Sequence, residues 1–385
     1  MNKSIFKPIK PKTNTIFCGD NLEIMRALPD GFVDLIYIDP PFFTQKNYKN
    51  IWGDRESVVD FRSDSYEGFH DTGDYFEHHI QAAGKIGLDA YLEWMRLRLL
   101  EIHRILKPTG SFYCHLDHHA VHYVKVMLDE IFGYGNFRNE IVWQRKIGKN
   151  STGTQRSWPN NSDYILFYTK SNNFTFNPQY LDDSESLPES ITKMYRFNDN
   201  DGKGLYRLGP MEAPSDSPTL KFEFKGVHPP KKGWRWTRER MNQAYAEGIL
   251  VVSNDKTSIQ QKMYLSKRKG AIIESIWTDI RCVQGGSTEY YGWPTQKPVA
   301  LLERIITASS NEGDLVFDCF AGCGTSMAAA HRLKRAWIGI DISKTAVEVN
   351  KDRLEGMKAK VDPVYSNSLL TELAKPKIAK KARVA

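Results

Sequence analysis

Asp39, Pro40, Pro41 and Phe42 follow directly on a short apolar run, Leu35 to Ile38. An acid, two residues without a backbone N–H and an aromatic ring make a set of acceptors beside a stacking face. That set suits a planar amine and the ring that carries it. The preceding run is partly β-branched and bounded on both sides, which predicts a strand buried within a parallel sheet. Each proline fixes its own φ, and Pro41 disfavours the helical region for Pro40. The chain must therefore leave the sheet as a stiff loop, at the edge where open α/β sheets bind ligands. On its own the triplet is equally compatible with an ordinary strand exit, so its surroundings decide.

A second constellation lies near the other end. Asp318-Cys319-Phe320-Ala321-Gly322-Cys323-Gly324-Thr325 reads as a strand end, a glycine-bearing loop and a helix start. Gly322 and Gly324 permit close backbone approach and positive φ. The following strand, Ala336 to Ile340, ends in Asp341, where an acid commonly takes ribose hydroxyls. A lone GxG says little, but a GxG with an acid one βαβ unit later points to a nucleoside cofactor. No lysine follows in a phosphate-binding arrangement and the third glycine of the dinucleotide fingerprint is missing. ATP hydrolysis and nicotinamide binding therefore recede, and S-adenosylmethionine, which has no pyrophosphate to cradle, fits better.

These residues require a sheet to hold them. Ile16 and Phe17 lead into Cys18-Gly19-Asp20, and Asn21 to Leu28 has helical spacing until Pro29, so a βαβ unit ends at Asp39. Residues 43 to 87 lack periodicity and are expected to form a lid over that corner. Asp89 to Leu106 repeats apolar residues every three to four positions, an amphipathic helix ended by Pro108 and Gly110. Ser111 to Leu116 is then a strand and Ala120 to Ile131 a helix. Ile141 to Trp143 and Tyr164 to Tyr168 are expected as a hairpin-type pair at the sheet edge. From Leu301 onward helix and strand alternate again: Leu301 to Ala308, Leu315 to Asp318, a helix opening at Gly322, the Asp341 strand, and helix Lys344 to Met357. The fold class is α/β, with a doubly wound, mostly parallel sheet. Residues 1–170 and 291–360 are expected to form that domain, 171–290 an inserted second domain, and 361–385 a basic tail, disordered from Lys375 onward.

Composition sets outer bounds. The chain has 385 residues, 41% hydrophobic and 26% charged, enough for a sizeable core. No apolar run approaches the roughly 18 residues of a membrane span, and Met1 to Lys12 lacks the apolar stretch of a secretory signal, so a cytoplasmic location is expected. Five cysteines, an odd count with no CxxC pair, argue against a disulfide framework. A net charge of +7 permits a nucleic-acid partner without demanding one. Arg235, Arg238 and neighbouring lysines interleave with Trp234 and Trp236, a mixture suited to phosphate contact and groove reading, or simply to a solvated face. Lys267, Arg268 and Lys269 form a second cluster, and Gln144, Arg145 and Lys146 a third beyond the edge strand. His115, His118, His119 and His122 have spacings that would align on a helix and invite a metal, but Asp117 can pair with a neighbouring imidazole, and no metal is expected. Cys319 and Cys323 are expected to be small packing residues.

Asp39-Pro40-Pro41-Phe42 together with the Asp318 to Thr325 loop resembles the exocyclic-amino DNA methyltransferases. The order is that of their permuted beta class: catalytic motif first, cofactor loop late, with Pro294-Thr295-Gln296-Lys297-Pro298 just before it. The resemblance implies S-adenosylmethionine as cofactor, with Asp318, Phe320, Ala321, Gly322, Gly324 and Thr325 lining its pocket and Asp341 on the ribose. It places Thr295, Gln296, Lys297 and Pro298 at the methionine moiety and Asp20 near the cofactor or target amine. It makes residues 171–290 a target-recognition domain and double-stranded DNA the partner, and raises a homodimer and a cognate restriction endonuclease as further partners. Asp at the first motif position favours adenine N6 over cytosine N4. A specificity or modification subunit of a restriction assembly, and methylation of RNA or a protein amide, stay open as alternatives. Ring-carbon methylation does not, because it needs a Pro-Cys pair and none of the cysteines follows a proline.

Overall fold

The computed structural model describes residues 11–42, 87–146, 156–181, 189–268, 270–293 and 295–365. Of the expected lid over 43–87 all but Gly87 lies outside the described residues, as do Lys269, Pro294 and residues 366–385, whereas Asp362–Tyr365, expected in the tail, form a strand of the sheet instead. Two compact units result: Met1–Gln179 with Glu274–Ala385, and Tyr180–Ile273.

The larger unit is built on a nine-stranded sheet. Its strands are β1 (Thr15–Cys18), β2 (Val33–Ile38), β3 (Leu106–Leu116), β4 (Phe137–Gln144), β5 (Ser162–Thr169), β9 (Ile276–Trp277), β10 (Leu315–Asp318), β11 (Ala336–Asp341) and β12 (Asp362–Tyr365). The order is β12-β1-β11-β10-β2-β3-β5-β4-β9. From β12 to β3 every pairing is parallel, whereas β5 runs antiparallel to both β3 and β4. The expected pair of β4 and β5 is present, but β5 is interior and β4 is covered by β9, so the pair is not the sheet edge. β9 is only two residues long, too short to show a period of its own.

Helices follow from capping and apolar spacing. α1 (Asn21–Ala27) starts at Asp20, whose Oδ1 accepts from the N–H groups of Leu22 and Glu23 at 2.7 and 3.2 Å. α2 (Gly87–Ile105) turns Met95, Leu99 and Ile102 inward, and α3 (Val121–Phe132) does the same with Val124 and Leu128. These five join Ile36, Ile38 and Phe112 in one core, each aliphatic side chain worth about 1.5–3 kcal/mol in transfer free energy. α2 ends at Ile105 and β3 begins at the next residue, so the helix stops before Pro108 and Gly110, which fall inside the strand instead of terminating the helix. The β2–β3 register shifts between Val33 and Leu35, an irregularity that accommodates them.

In the smaller unit β6 (Tyr206–Pro210), β7 (Leu250–Val252) and β8 (Ile259–Tyr264) pair antiparallel, with α4 (Arg238–Ala246) beside them in sequence. It has its own core of Met211, Phe224, Val227, Trp234, Met241, Ala244, Leu250 and Ile259.

Among the described residues the larger unit has three further helices, α5 (Val299–Ser309), α6 (Thr325–Arg332) and α7 (Lys344–Gly356). The arrangement that matters for chemistry is the centre of the sheet. β10 lies between β2 and β11, with Phe317 opposite Ile36 and Asp318 opposite Gly339. Three adjacent parallel strands thus end at Asp39, Asp318 and Asp341.

Candidate active site

Asp39 follows the last residue of β2, and its Oδ2 accepts from Lys297 Nζ at 2.5 Å. The same ammonium lies 5.2 Å from the centroid of the Phe42 ring. Pro40 is buried, Pro41 exposed and Phe42 half-buried. The corner therefore holds a carboxylate and a ring on a short stiff segment, with one lysine touching both.

The glycine loop is bonded directly to the acid one βαβ unit later. Asp341 Oδ2 accepts from Gly322 N at 2.8 Å, and Oδ1 from Ser343 N at 2.9 Å. Burial nevertheless pushes the Asp341 carboxyl up to about 6, against the pull of those N–H donors. Asp318, fully buried, accepts from Phe320 N at 2.9 Å and from the Ser326 hydroxyl. Burial pushes it up to about 7, with Asp39 and Asp341 adding to the rise. Asp318 is buried and bonded within the loop and Asp39 is paired with Lys297, so the half-buried Asp341 is the acid placed to accept from ribose hydroxyls, such as a sulfonium nucleoside offers.

The loop backbone explains its glycines. Gly324 has φ +79, and a Cβ there would stand 1.8 Å from Asn350 Oδ1. Asn350 is fully buried and cannot easily retreat, because its Nδ2 donates to the carbonyls of Gly322 (2.5 Å) and Ala346 (2.9 Å). Arg353, also buried, donates to Cys323 O (3.0 Å) and Thr325 Oγ1 (3.2 Å). Both come from α7 and carry no motif signal. They share a face with Ala346, Val347 and Leu354, and polar residues on an otherwise apolar helix face are the clue that sequence offers. Ala321 is buried with its N–H on Ile340 O (3.0 Å), and Phe320 packs against Trp94, ring centroids 5.6 Å apart.

Other expected site residues are employed differently. Asp20 caps α1 with Oδ1 while Oδ2 takes Arg98 Nη2 at 2.9 Å. Arg98, buried, donates also to Asn21 Oδ1, whose amide in turn donates to Cys319 O at 2.8 Å, so Asp20 braces the glycine loop from behind. Thr295 is exposed and Pro298 buried. Gln296 ties its own segment together, accepting from Tyr291 N and donating to Glu289 O. Within 295–298 it is Lys297 that meets Asp39.

Among the basic candidates Trp234 is a correction: it is 1% exposed, a core residue of the smaller unit, with Nε1 donating to Phe222 O at 2.6 Å. A basic neighbourhood in sequence does not put every ring on the surface. Arg235, Arg238 and Lys267 are exposed and Arg268 half-buried. Gln144 ends β4, Lys146 is exposed, and Arg145 Nε approaches Asp163 Oδ1 to 2.9 Å. The four histidines do not line one helix. His115 is buried in β3, His118 and His119 sit in the turn after it, and His122 is on α3. Asp117, His118 and His119 bring donor atoms within 4.8 Å of one another, and Asp117 Oδ2 takes His119 Nδ1 at 2.7 Å, the expected acid–imidazole pair. Cys319 and Cys323 are buried and free.

A family model described as DNA methylase matches residues 33–352. The chain is 32% identical over 361 residues to the type II methyltransferase M.EcaI of Enterobacter cloacae, covering 92% of this chain and 72% of that protein. It is 27% identical over 369 residues to the DNA adenine methyltransferase YhdJ of Escherichia coli, covering 95% and 88% respectively. Among solved structures, a putative DNA modification methylase from Thermus thermophilus, complexed with S-adenosyl-L-methionine, aligns over 92% of this chain and 98% of its own at 15% identity and a TM-score of 0.46.

Proposed function

The chain belongs to the N6-adenine/N4-cytosine DNA methylase family, and from that premise we propose that it methylates the N6 amine of adenine at specific sites in duplex DNA, with the target base turned out of the helix. The observation that carries this reading is the adjacency of β2 and β10, which sets the Asp39–Phe42 corner beside the Gly322–Asp341 cofactor loop. Bound S-adenosylmethionine supplies an electrophilic methyl group on sulfur. Asp341 would accept from its ribose hydroxyls, and the positive-φ backbone at Gly322 and Gly324 would let it lie close. An exocyclic amine is a poor nucleophile because its lone pair is delocalised into the base. Asp39 and the Pro40 carbonyl would accept hydrogen bonds from its two N–H groups and so turn the lone pair out of the ring plane, and the proton that nitrogen loses after methylation would pass to solvent. Phe42 stacks on the extruded base. Orientation of two bound reactants can remove roughly 7–11 kcal/mol from a barrier, and no covalent enzyme intermediate is needed. Burial pushes the thiols of Cys114, Cys319 and Cys323 upward, away from the thiolate form.

Adenine rather than cytosine is supported by the acid at position 39 and by the likeness to YhdJ. The test is transfer of tritiated methyl from S-adenosylmethionine to duplex DNA, followed by nucleoside analysis. We expect N6-methyladenine from the unmodified chain and a loss of at least about 1000-fold for Asp39→Ala. N4-methylcytosine as product would replace the base assignment. Label on RNA or protein but not DNA would overturn the reading.

A further inference from the structure

Beneath the Asp39 corner runs a polar chain that the motifs do not mark. His115, wholly buried in β3, is bonded at both ring nitrogens: Nδ1 lies 2.9 Å from Tyr37 Oη, and Nε2 lies 3.1 Å from Asp163 Oδ2. Tyr37 is in β2, two residues before Asp39, and Asp163 is in β5. Arg145, just past β4, forms the outer end, close to Asp163 Oδ1 but poorly aligned for a hydrogen bond, so that link is electrostatic. The imidazole lies against Phe42, ring centroids 6.0 Å apart and planes 27° from parallel, while Trp143 meets it edge-on at 5.6 Å.

Burying a phenol, an imidazole and a carboxylate in the middle of a sheet is a poor way to gain stability, because apolar residues of similar size would serve as well or better. What such a network gives is orientation: a ring held at both nitrogens cannot turn. The bonding pattern is self-consistent. Burial, with Asp39 and Asp163 nearby, holds the Tyr37 phenol far above its ordinary value, so it keeps its proton and donates to Nδ1. Burial by itself raises Asp163 too, yet its bond to His115 and the charges of Lys297 and Arg145 outweigh that and hold it below the usual carboxylate range, an ionised acceptor for the Nε2–H.

We propose that His115 is a positioning residue for the target base: clamped by Tyr37 and Asp163, it fixes the plane of the Phe42 ring on which that base stacks. The inference rests on the reading of Phe42 as the base platform. It separates the roles of the corner, with Asp39 aiming the amine and the buried chain setting the tilt of the base.

The test is a double-mutant cycle read by single-turnover methyl transfer, with the cofactor dissociation constant and thermal melting as controls. Tyr37→Phe and Asp163→Asn each remove one anchor and keep the imidazole. Each is expected to lower the transfer rate about 10- to 100-fold, the scale of a misplaced reactant, with the cofactor dissociation constant within about twofold of the unmodified protein. In a Phe42→Ala background the same changes are expected to cost less than about twofold, because the ring through which they act is gone. A 2-aminopurine at the target position is expected to report altered stacking in both single variants. A merely structural chain would lower melting and cofactor affinity and leave the cycle additive. Additive losses, or wild-type transfer by both single variants, would overturn the proposal. Absence of methyl transfer by the unmodified protein would instead overturn the functional reading on which it stands.

Discussion

Asp341 serves the loop and, on the proposed reading, the ribose, and because burial holds its carboxyl above the usual carboxylate range, both are tied to pH. A ribose hydroxyl donates to a carboxylate better than to a carboxylic acid. With the group pushed up to about 6, cofactor affinity should be full above roughly pH 7 and fall as pH drops through 6. Calorimetric titration between pH 5 and 8 checks this, and Asp341→Asn should bind weakly with a flatter profile. Stability carries the opposite sign: the folded value lies above the unfolded one, so ionisation of this buried acid opposes folding, and its cost grows as pH rises from about 4 through 6. At Gly324 the constraint is steric. Gly324→Ala forces an L side chain to positive φ against a tethered Asn350, and should cost about 1–3 kcal/mol in denaturant unfolding while weakening cofactor binding.

The glycine loop is braced from two sides, by Asn350 and Arg353 of α7 and by the Asp20–Arg98–Asn21 cluster that joins α1 to α2. Arg98→Met leaves Asp20 without its buried partner and should destabilise the protein by about 3–5 kcal/mol, seen as a lowered denaturation midpoint. Much of the element pattern was legible in sequence for a physical reason: β2, β10 and β11 are apolar runs that end in acids, and the chemistry needs those acids where the runs stop. The braces were not legible, since Arg98 and Asn350 belong to helices whose apolar spacing is complete without them. Tyr37, His115 and Asp163 escaped for a related reason. Strands buried on both faces show no alternation that would distinguish a polar side chain facing inward from one facing solvent. Trp234 failed in the opposite sense, as a core ring among surface charges.

At the scale of the molecule the two units have separate cores, and their substitutions should separate as well. Trp234→Ala empties the centre of the smaller core and is expected to cost about 3–5 kcal/mol there. Arg235→Glu, at an exposed position, should shift stability by no more than about 0.5 kcal/mol, while Arg238→Glu also gives up a contact over the Phe222 ring (4.3 Å) and a bond to Glu223 O (3.2 Å). If these arginines meet phosphates, the pair should weaken DNA binding and flatten its dependence on salt, measured by fluorescence anisotropy across a salt series. The central pairing of β2 with β10 has a consequence for synthesis. The strand leading to Asp39 leaves the ribosome well before its neighbour on one side, which comes only when the chain has reached Asp318. At about 5–20 residues per second, that side of the β2 backbone stays unpaired for roughly 15–60 s. An open strand edge for that long is an invitation to mispairing. Truncation before β10 should therefore yield an aggregating chain as well as an inactive one.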